Sequence, residues 1–600
     1  MAKGKISVHT DNLLPIIKKW LYSDSDIFLR ELVSNAQDAI MKLKKLNSLG
    51  QADIDDKYEI RVELDKENSI ITVTDNGIGM TEEEVEKYIN QVAFSGAEEF
   101  IKKYENEKDE KSRIIGHFGL GFYSAFMAAS EVEIDTLSYI EGASPVHWVS
   151  DGGTDYEITP GTKAERGTSI TLHIAEDSKE FLESYKLREV LNKYCAFLPI
   201  EIYLVDKSQT EEKEVSPIND TNPLWLKNPN DCTEEDYKSF YHKVFFDMND
   251  PLFWIHLNVD FPFNLKGILY FPKLNHEFQT IEGQIKLYNN QVFIADNIKE
   301  VTPEYLMLLK GVIDCPDLPL NVSRSFLQND GYVSKVSAHI TKKVADKLNG
   351  IYKTEKESFE KYWDDINPFI KYGCMRDEKF YDRVKDIILF KKLDDTYVSL
   401  KELTEAETKD VFYVTDEESQ SQYIELLKTE NIEPVLLNNM IDNHFSSFLE
   451  YKISDIHFKR VDSFISESLK DGENTEETDK KLSELFTPYA GGAKISVEKL
   501  KSDKISAMYV LSEEARRMEE MQKMYGGMNL PNMPKPEETL VINSNNALVN
   551  KASEIEDAEL KDLVCTNIVD MAKLSHNTLN GEEKAAFLER NVKIMNMLIK

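Results

Sequence analysis

The stretch SDIFLRELVSNAQDAIMKL, residues 25–43, constrains this 600-residue chain more than any other. Ile27, Phe28, Leu32, Ala36, Ala39 and Leu43 recur at helical spacing, which predicts an amphipathic helix with one face in a core. Glu31, Asn35 and Asp38 stand at i, i+4 and i+7, within about 60° of one another on a single stripe. Apolar residues flank the stripe, and no lysine or arginine stands on it for helix pairing. An asparagine in mid-helix also lowers propensity without a local gain. The stripe is either a solvated face or the wall of a polar site, and the helix alone does not separate the two.

Three more segments bear on that choice. YEIRVELDKENSIITVTDNG predicts a hairpin around the polar turn at residues 65–68, ending in Asp75 with Gly77 and Gly79 after it. Asp-Asn-Gly is ordinary turn chemistry. It also suits a carboxylate at a pocket wall, with glycines that let a ligand approach the backbone. In IIGHFGLGFYSAF, residues 114–126, Gly116, Gly119 and Gly121 reverse the Rossmann order, and Phe122 stands where a Walker loop needs lysine. Alone, this is a tight turn before a buried helix. RGTSITLHI puts Thr168 at the start of a strand that pairs with SEVEIDTLSY.

The formal net charge of -35 argues against a general nucleic-acid binder. Cys195, Cys232, Cys315, Cys374 and Cys565 are scattered without metal-ligand spacing, which implies a reducing compartment. The N-terminus lacks a signal-type apolar core, and no apolar run is long enough to span a bilayer, so a soluble cytoplasmic protein without a membrane partner is expected. VDKSQTEEKEVSPINDTNPLW suggests a linker. A second α/β region begins near Asn222, with two strands in DPLFWIHLNVDFPFNLKGILYFPK and another in KLYNNQVFIAD. Helical patterns run from Lys335 to about Lys361, and mixed α/β follows to about Asp462. SLKDGENTEETDKK is a candidate boundary, and the last hundred residues are mostly helical. There Met518, Met521, Met524 and Met528 form one stripe, and Ala585, Leu588, Val592, Met595 and Ile599 form an a/d seam.

In combination the motifs say more. E-x-x-x-N-x-x-D, D-x-G-x-G, G-x-x-G-x-G and Gly-Thr before a strand, in this order, resemble the Bergerat ATP-binding fold of gyrase-type topoisomerases, histidine kinases, MutL proteins and heat-shock protein 90 chaperones. SDSDIFLRELVSNAQDAIMKL, DNGIGMT, GHFGLGFYSAFM, LYFP and NVSRSFLQ are similar to the heat-shock protein 90 family across essentially the whole chain. The chain has no long acidic linker and no Met-Glu-Glu-Val-Asp terminus, as in the bacterial branch.

The resemblance implies an α/β fold class: an N-terminal Bergerat (GHKL) α/β sandwich, an α/β middle domain and a mainly helical C-terminal dimerisation domain. The implied boundaries are 1–210 with a lid at about 93–122, a linker at 211–222, a middle domain at 223–480 and a terminal domain at 490–600. It implies an ATP-dependent chaperone that uses ATP and Mg²⁺, forms a homodimer through its C-terminal helices and acts on unfolded or partly folded clients. Asp75 would accept the adenine amino group, Gly79 and Met80 would line the base pocket, and Thr168 would support it through water. Asn35 would help hold Mg²⁺, Asp38 would belong to the nucleotide site, and Glu31 would orient or deprotonate the attacking water. Gly116, Gly119, Gly121 and Phe122 would offer backbone N–H groups to phosphates. Arg324 and Gln328 would reach the terminal phosphate. The Met518–Met528 stripe would suit either an adaptable client surface or core packing.

The lid departs from the family pattern. Phe94 replaces a usual lysine, Ala97 a threonine, Glu98 a lysine, Tyr88 an asparagine and His117 a glutamine. These changes leave the rate of lid closure open. A DNA-processing relative is opposed by the charge, and a histidine kinase by the lack of a phosphoacceptor helix. A nucleotide-independent holdase is opposed by Glu31 and Arg324.

Overall fold

Alternating apolar residues around the turn at 65–68 fold as the expected hairpin. β1 (Glu59–Asp65) pairs antiparallel with β2 (Ile70–Asp75), and their inward residues Ile60, Val62, Leu64, Ile71 and Val73 are buried. The protein is described by a computed structural model over residues 25–54, 57–91, 94, 96, 99–100, 119–153, 155–208, 216–261, 263–273, 284–297, 301–306, 309–318, 331–406, 409–463, 469–511, 538–575 and 579–599. It comprises two units, Met1–Val344 and Ala345–Lys600.

In the first unit, helix α1 (Ile27–Ser48) precedes the hairpin and α2 (Glu82–Tyr88) follows it. Thr81 and Glu84 close a capping box at the start of α2. β3 (Ala129–Leu137), β4 (Val146–Ser150), β5 (Glu157–Pro160), β6 (Gly167–Ile174), α3 (Ser184–Cys195) and β7 (Glu201–Asp206) complete a seven-stranded sheet. Its order is β5-β4-β3-β6-β2-β1-β7, with only β1 and β7 parallel. The β3–β6 pairing is the expected one, whereas β4 and β5 carry no signal strong enough to predict. α1 lies on one face with α3, and Ile27, Phe28, Leu32, Val33, Ala36, Ile40 and Leu43 enter the core.

The same unit continues with α4 (Glu234–Phe245) and a five-stranded sheet. Its strands are β8 (Phe253–Val259), β9 (Leu265–Phe271), β10 (Gln284–Asn289), β11 (Val292–Asp296) and β12 (Lys310–Asp314), in the order β11-β10-β12-β9-β8. KLYNNQVFIAD is therefore a hairpin and not one strand. Asn290 (φ 50°) and Gln291 (φ 67°) turn the chain through left-handed backbone in a two-residue loop. Trp225, fully buried, joins the two halves: its ring meets Phe197 at 4.7 Å, Tyr288 at 5.4 Å and Phe240 at 5.8 Å. The long helix α5 (Gly331–Thr354) follows.

The second unit takes in the last part of α5, from Ala345, and continues with α6 (Lys356–Arg376) and α7 (Glu378–Val384). Its larger sheet has β13 (Leu389–Lys392), β14 (Tyr397–Ser399), β15 (Asp410–Val414), β16 (Val435–Leu436) and β17 (His457–Arg460), in the order β14-β13-β16-β15-β17. Helices α8 (Leu400–Glu405), α9 (Ser421–Lys428) and α10 (Met440–Lys452) connect these strands. A buried ion pair, Lys371 Nζ to Asp442 Oδ1 at 2.5 Å, ties α6 to α10. The polar run at 468–481 is not wholly a boundary. Thr475 caps α11 (Glu476–Phe486), whose acidic first turn suits a helix N-terminus.

The C-terminal region is mainly helical but has its own small sheet: β18 (Lys494–Glu498), β19 (Ala507–Leu511) and β20 (Glu538–Asn543), in the order β18-β20-β19. Helices α12 (Ala547–Glu554), α13 (Ala558–Ser575) and α14 (Gly581–Leu598) complete it. On α14, Arg590 pairs with Asp570 and Asn591 with Asn567 of α13. The a/d seam faces away: Ala585, Leu588, Val592, Met595 and Ile599 are exposed, Leu588 by 64%. The Met518–Met528 stripe lies outside the described residues.

Trp225→Ala should lower the first thermal unfolding transition, a loss of about 3–5 kcal/mol for a buried aromatic. A midpoint within 1 °C of wild type by calorimetry would contradict the joining role.

Candidate functional site

The site is built where β2 ends and β6 begins. Asp75 and Thr168 are register partners, and Thr168 also sits opposite Thr136 on β3. Thr136 Oγ1 lies 3.0 Å from Thr168 Oγ1 and accepts the Met80 N–H at 2.9 Å, so three strands hold the loop at 76–80. Thr136 was not among the expected residues. Its signal is a threonine in the apolar phase of SEVEIDTL, after Val132 and Ile134.

Asp75 is buried and accepts the Gly77 N–H at 2.8 Å. Burial pushes its carboxyl up to about 7, against the pull of the Gly77 N–H, Lys163, the Thr168 N–H and Arg166. Gly79 has φ +60°, and a Cβ there would lie 1.9 Å from the Leu137 carbonyl oxygen, so no side chain fits.

α1 supplies the facing wall. Glu31, Asn35 and Asp38 line one cavity of about 210 Å³ together with Asp75, Gly79, Met80, Gly119, Gly121, Phe122 and Thr168. The structure thus brings these expected residues together. Gly116, Arg324 and Gln328 lie outside the described residues. The polar stripe is a cavity wall, with Glu31 and Asp38 buried.

Glu31 is held by its neighbour. Arg30 Nε and Nη2 donate to Glu31 Oε1 at 3.0 and 2.7 Å, both side chains are buried, and the guanidinium stands 5.5 Å from the Tyr194 ring centre. Adjacent residues do not share a helix face, so sequence spacing gave no warning of this pair. Gly121 closes on the same carboxylate: a Cβ there would lie 2.8 Å from Glu31 Oε2 and 3.6 Å from the Asn35 amide.

The expectation of a cation-free stripe is corrected by Lys42, four residues beyond Asp38, which also lines the cavity. Burial lowers its pKa, against the attraction of Asp38 and Glu84. Spacing from Glu31 by three helical turns was the available signal.

At one side of the cavity, Tyr88 and Phe94 stack at 6.0 Å and 15° and both line it. Lys87 Nζ stands 5.2 and 5.3 Å from their ring centres and pairs with Glu99 at 2.7 Å. An aromatic pair therefore stands where the family pattern has asparagine and lysine. Ala97, Glu98 and His117 lie outside the described residues. After the glycines, Gly121–Met127 forms a 3-10 helix. It is anchored by Phe122 edge-on to Trp148 at 5.6 Å.

Residues 207–598 match the family described as Hsp90 protein. Residues 22–149 match the family described as histidine kinase-, DNA gyrase B-, and HSP90-like ATPase. The chain is 44% identical to Chaperone protein HtpG of Porphyromonas gingivalis (strain ATCC 33277), over 92% of this chain and 84% of that protein. It is 41% identical to Chaperone protein HtpG of Bacteroides thetaiotaomicron, over 97% and 89%. It is 33% identical to Chaperone protein HtpG of Fusobacterium nucleatum, over 98% of each.

Asp75 keeps its proton to about pH 7 in the fold, whereas an unfolded aspartate releases it at about 3.9. The native state then binds more protons between these values, so this residue makes stability fall as pH rises from about 4 to 7. Relative to Asp75→Asn, the wild-type unfolding midpoint should drop across this range and level off above it. Parallel curves by scanning fluorimetry would contradict the assignment.

Proposed function

Because the chain belongs to the Hsp90 protein family, we propose that the cavity between α1 and the β2–β6 strand ends is its ATP site. The protein is an ATP-dependent molecular chaperone and an ATP hydrolase, in which ATP binding and hydrolysis drive lid closure and dimer clamping on client proteins. One observation carries the site assignment: Glu31, Asn35 and Asp38 converge with Asp75, Thr168 and the glycines in one cavity.

The roles follow from the geometry. Asp75 accepts a hydrogen bond from the adenine amino group, where guanine presents a carbonyl. A charged acceptor binds that donor more strongly than a protonated one. Thr168, braced by Thr136, supports the same edge through water, while Gly79 and Met80 border the base. Glu31 has one oxygen held by Arg30 and the other toward Gly121, a fixed orientation for aligning water and taking its proton. Asn35, Gly119, Gly121 and Phe122 face the phosphate end, Gly116 is assigned to the phosphates with them, and Arg324 and Gln328 are assigned to the terminal phosphate. The Asn35 side-chain oxygen, beside the Glu31 carboxylate, belongs to a hard oxygen donor set that fits Mg²⁺. When bound, the ion neutralises phosphate charge.

The proposed division is 1–210 for ATP binding with a lid at about 93–122, 211–222 as linker, 223–480 as middle domain and 490–600 for dimerisation. The exposed seam on α14 supports a homodimer through the C-terminal helices. Unfolded or partly folded proteins are the proposed clients. The -35 charge supports a protein without nucleic-acid partners. Among the described residues no helix is long and apolar enough to cross a membrane. Five free cysteines suit a cytoplasmic setting.

In ATP binding and turnover assays, Asp75→Asn should lose binding. Glu31→Ala should keep binding while hydrolysis falls on the order of 10²-fold. Equal turnover in wild type and both variants would overturn the site. Leu588→Asp with Val592→Asp should convert a dimer to monomer by sedimentation at micromolar concentration, and an unshifted dimer would remove α14 from the interface.

A further inference from the structure

The seven-stranded sheet has a second face. On β3, Val132, Ile134 and Thr136 are buried in the core that α1 closes, so alternation turns Glu131, Glu133 and Asp135 to the opposite side. The register sets His173 of β6 directly across from Glu131, and His147 of β4 directly across from Asp135. Glu133 stands between these pairs. His173 Nε2 is 2.6 Å from Glu133 Oε1 and 3.7 Å from Glu131 Oε1, and His147 Nδ1 is 3.1 Å from Asp135 Oδ1. Two groups result, Glu131–Glu133–His173 and Glu133–Asp135–His147, each with its ligand atoms within 4.8 Å of one another. A tetrahedral ion with ligands at about 2.0–2.2 Å separates them by roughly 3.3–3.6 Å. Small side-chain adjustments reach that spacing from either group.

Charge points the same way. Three carboxylates at alternate positions of one strand repel one another. Elsewhere on this face acids are met by long cations: Glu59 by Arg61 at 2.6 Å and Glu63 by Lys207 at 3.3 Å. Among the described residues, the ion-pair partners of Glu131, Glu133 and Asp135 are the two imidazoles alone.

We propose that this face binds a divalent transition-metal cation of the zinc class through Glu133, one of the two histidines and the flanking carboxylate. Mixed imidazole and carboxylate donors suit Zn²⁺ better than Mg²⁺ or Ca²⁺, which take all-oxygen sets. Three protein ligands leave coordination open to water or to a side chain of a docked protein. The sheet itself separates this site from the cavity lined by α1.

The test is Zn²⁺ titration of the nucleotide-free full chain by calorimetry and by thermal unfolding. Nucleotide is left out because its phosphates compete for the metal. The chains are wild type, Glu133→Gln, His173→Gln and His147→Gln, all changed at half-buried outer positions where folding should persist. Zn²⁺ affinity should fall tenfold or more in Glu133→Gln and in at least one histidine variant, which identifies the group used. Zn²⁺ should raise the unfolding midpoint of wild type but not of Glu133→Gln. Mg²⁺ at the same concentration should not reproduce that difference. Unchanged Zn²⁺ affinity in Glu133→Gln, or in both histidine variants, overturns the proposal. ATP turnover plays no part in the readout, so failure of the nucleotide site would leave the result intact.

Discussion

Everything around the cavity depends on helix α1 burying its apolar face and its acidic stripe at the same time. Phe28, Leu32, Val33 and Ile40 anchor it to the sheet, and that packing carries Glu31 and Asp38 out of bulk water with it. Buried carboxylates are costly unless partnered. Arg30 is the partner Glu31 receives, itself stacked near Tyr194 of α3. The helix, the ion pair and the position of α3 are thus one arrangement. Moving the helix would strand a charge as well as open a core.

The sheet meets α1 with polar residues placed in its inward phase. Thr136, Thr168 and Asp75 interrupt otherwise apolar strands at adjoining register positions, where they form a connected polar row. Their desolvation explains why Asp75 holds its proton so strongly. The outward phase of the same strands carries Glu131, Glu133, Asp135, His147 and His173. One strand, β3, therefore contributes to two chemically different surfaces through the two-residue period of its side chains. The C-terminal helix α14 shows a comparable division. Arg590 and Asn591 bind α13, while the a/d positions stay uncovered within the single chain.

Much of this is legible in the sequence. The E-x-x-x-N-x-x-D helix, the hairpin ending in Asp75, and the β3–β6 pair each have strong periodicity and lie where expected. The short strands β4 and β5 are not legible because four or five residues carry little pattern. The β10–β11 hairpin reads as one strand in the sequence because Asn290 and Gln291 turn the chain without glycine or proline. Lys42 is legible too, since helical spacing sets it on the same stripe as Glu31, Asn35 and Asp38. Arg30 was not visible at all, because its pairing with the adjacent Glu31 depends on side-chain burial and not on spacing.

The sequence by itself determined the family, the α/β character and which residue types could serve a nucleotide, since these rest on local periodicity and on motifs in fixed order. Tertiary structure alone decided that Glu31, Asn35 and Asp38 face a cavity, that Asp75 is desolvated, and that the α14 seam is a surface stripe. An amphipathic pattern says that a face must be covered, but not by what. Only the packing of distant strands and helices settles which polar groups lose their water and which apolar ones keep it.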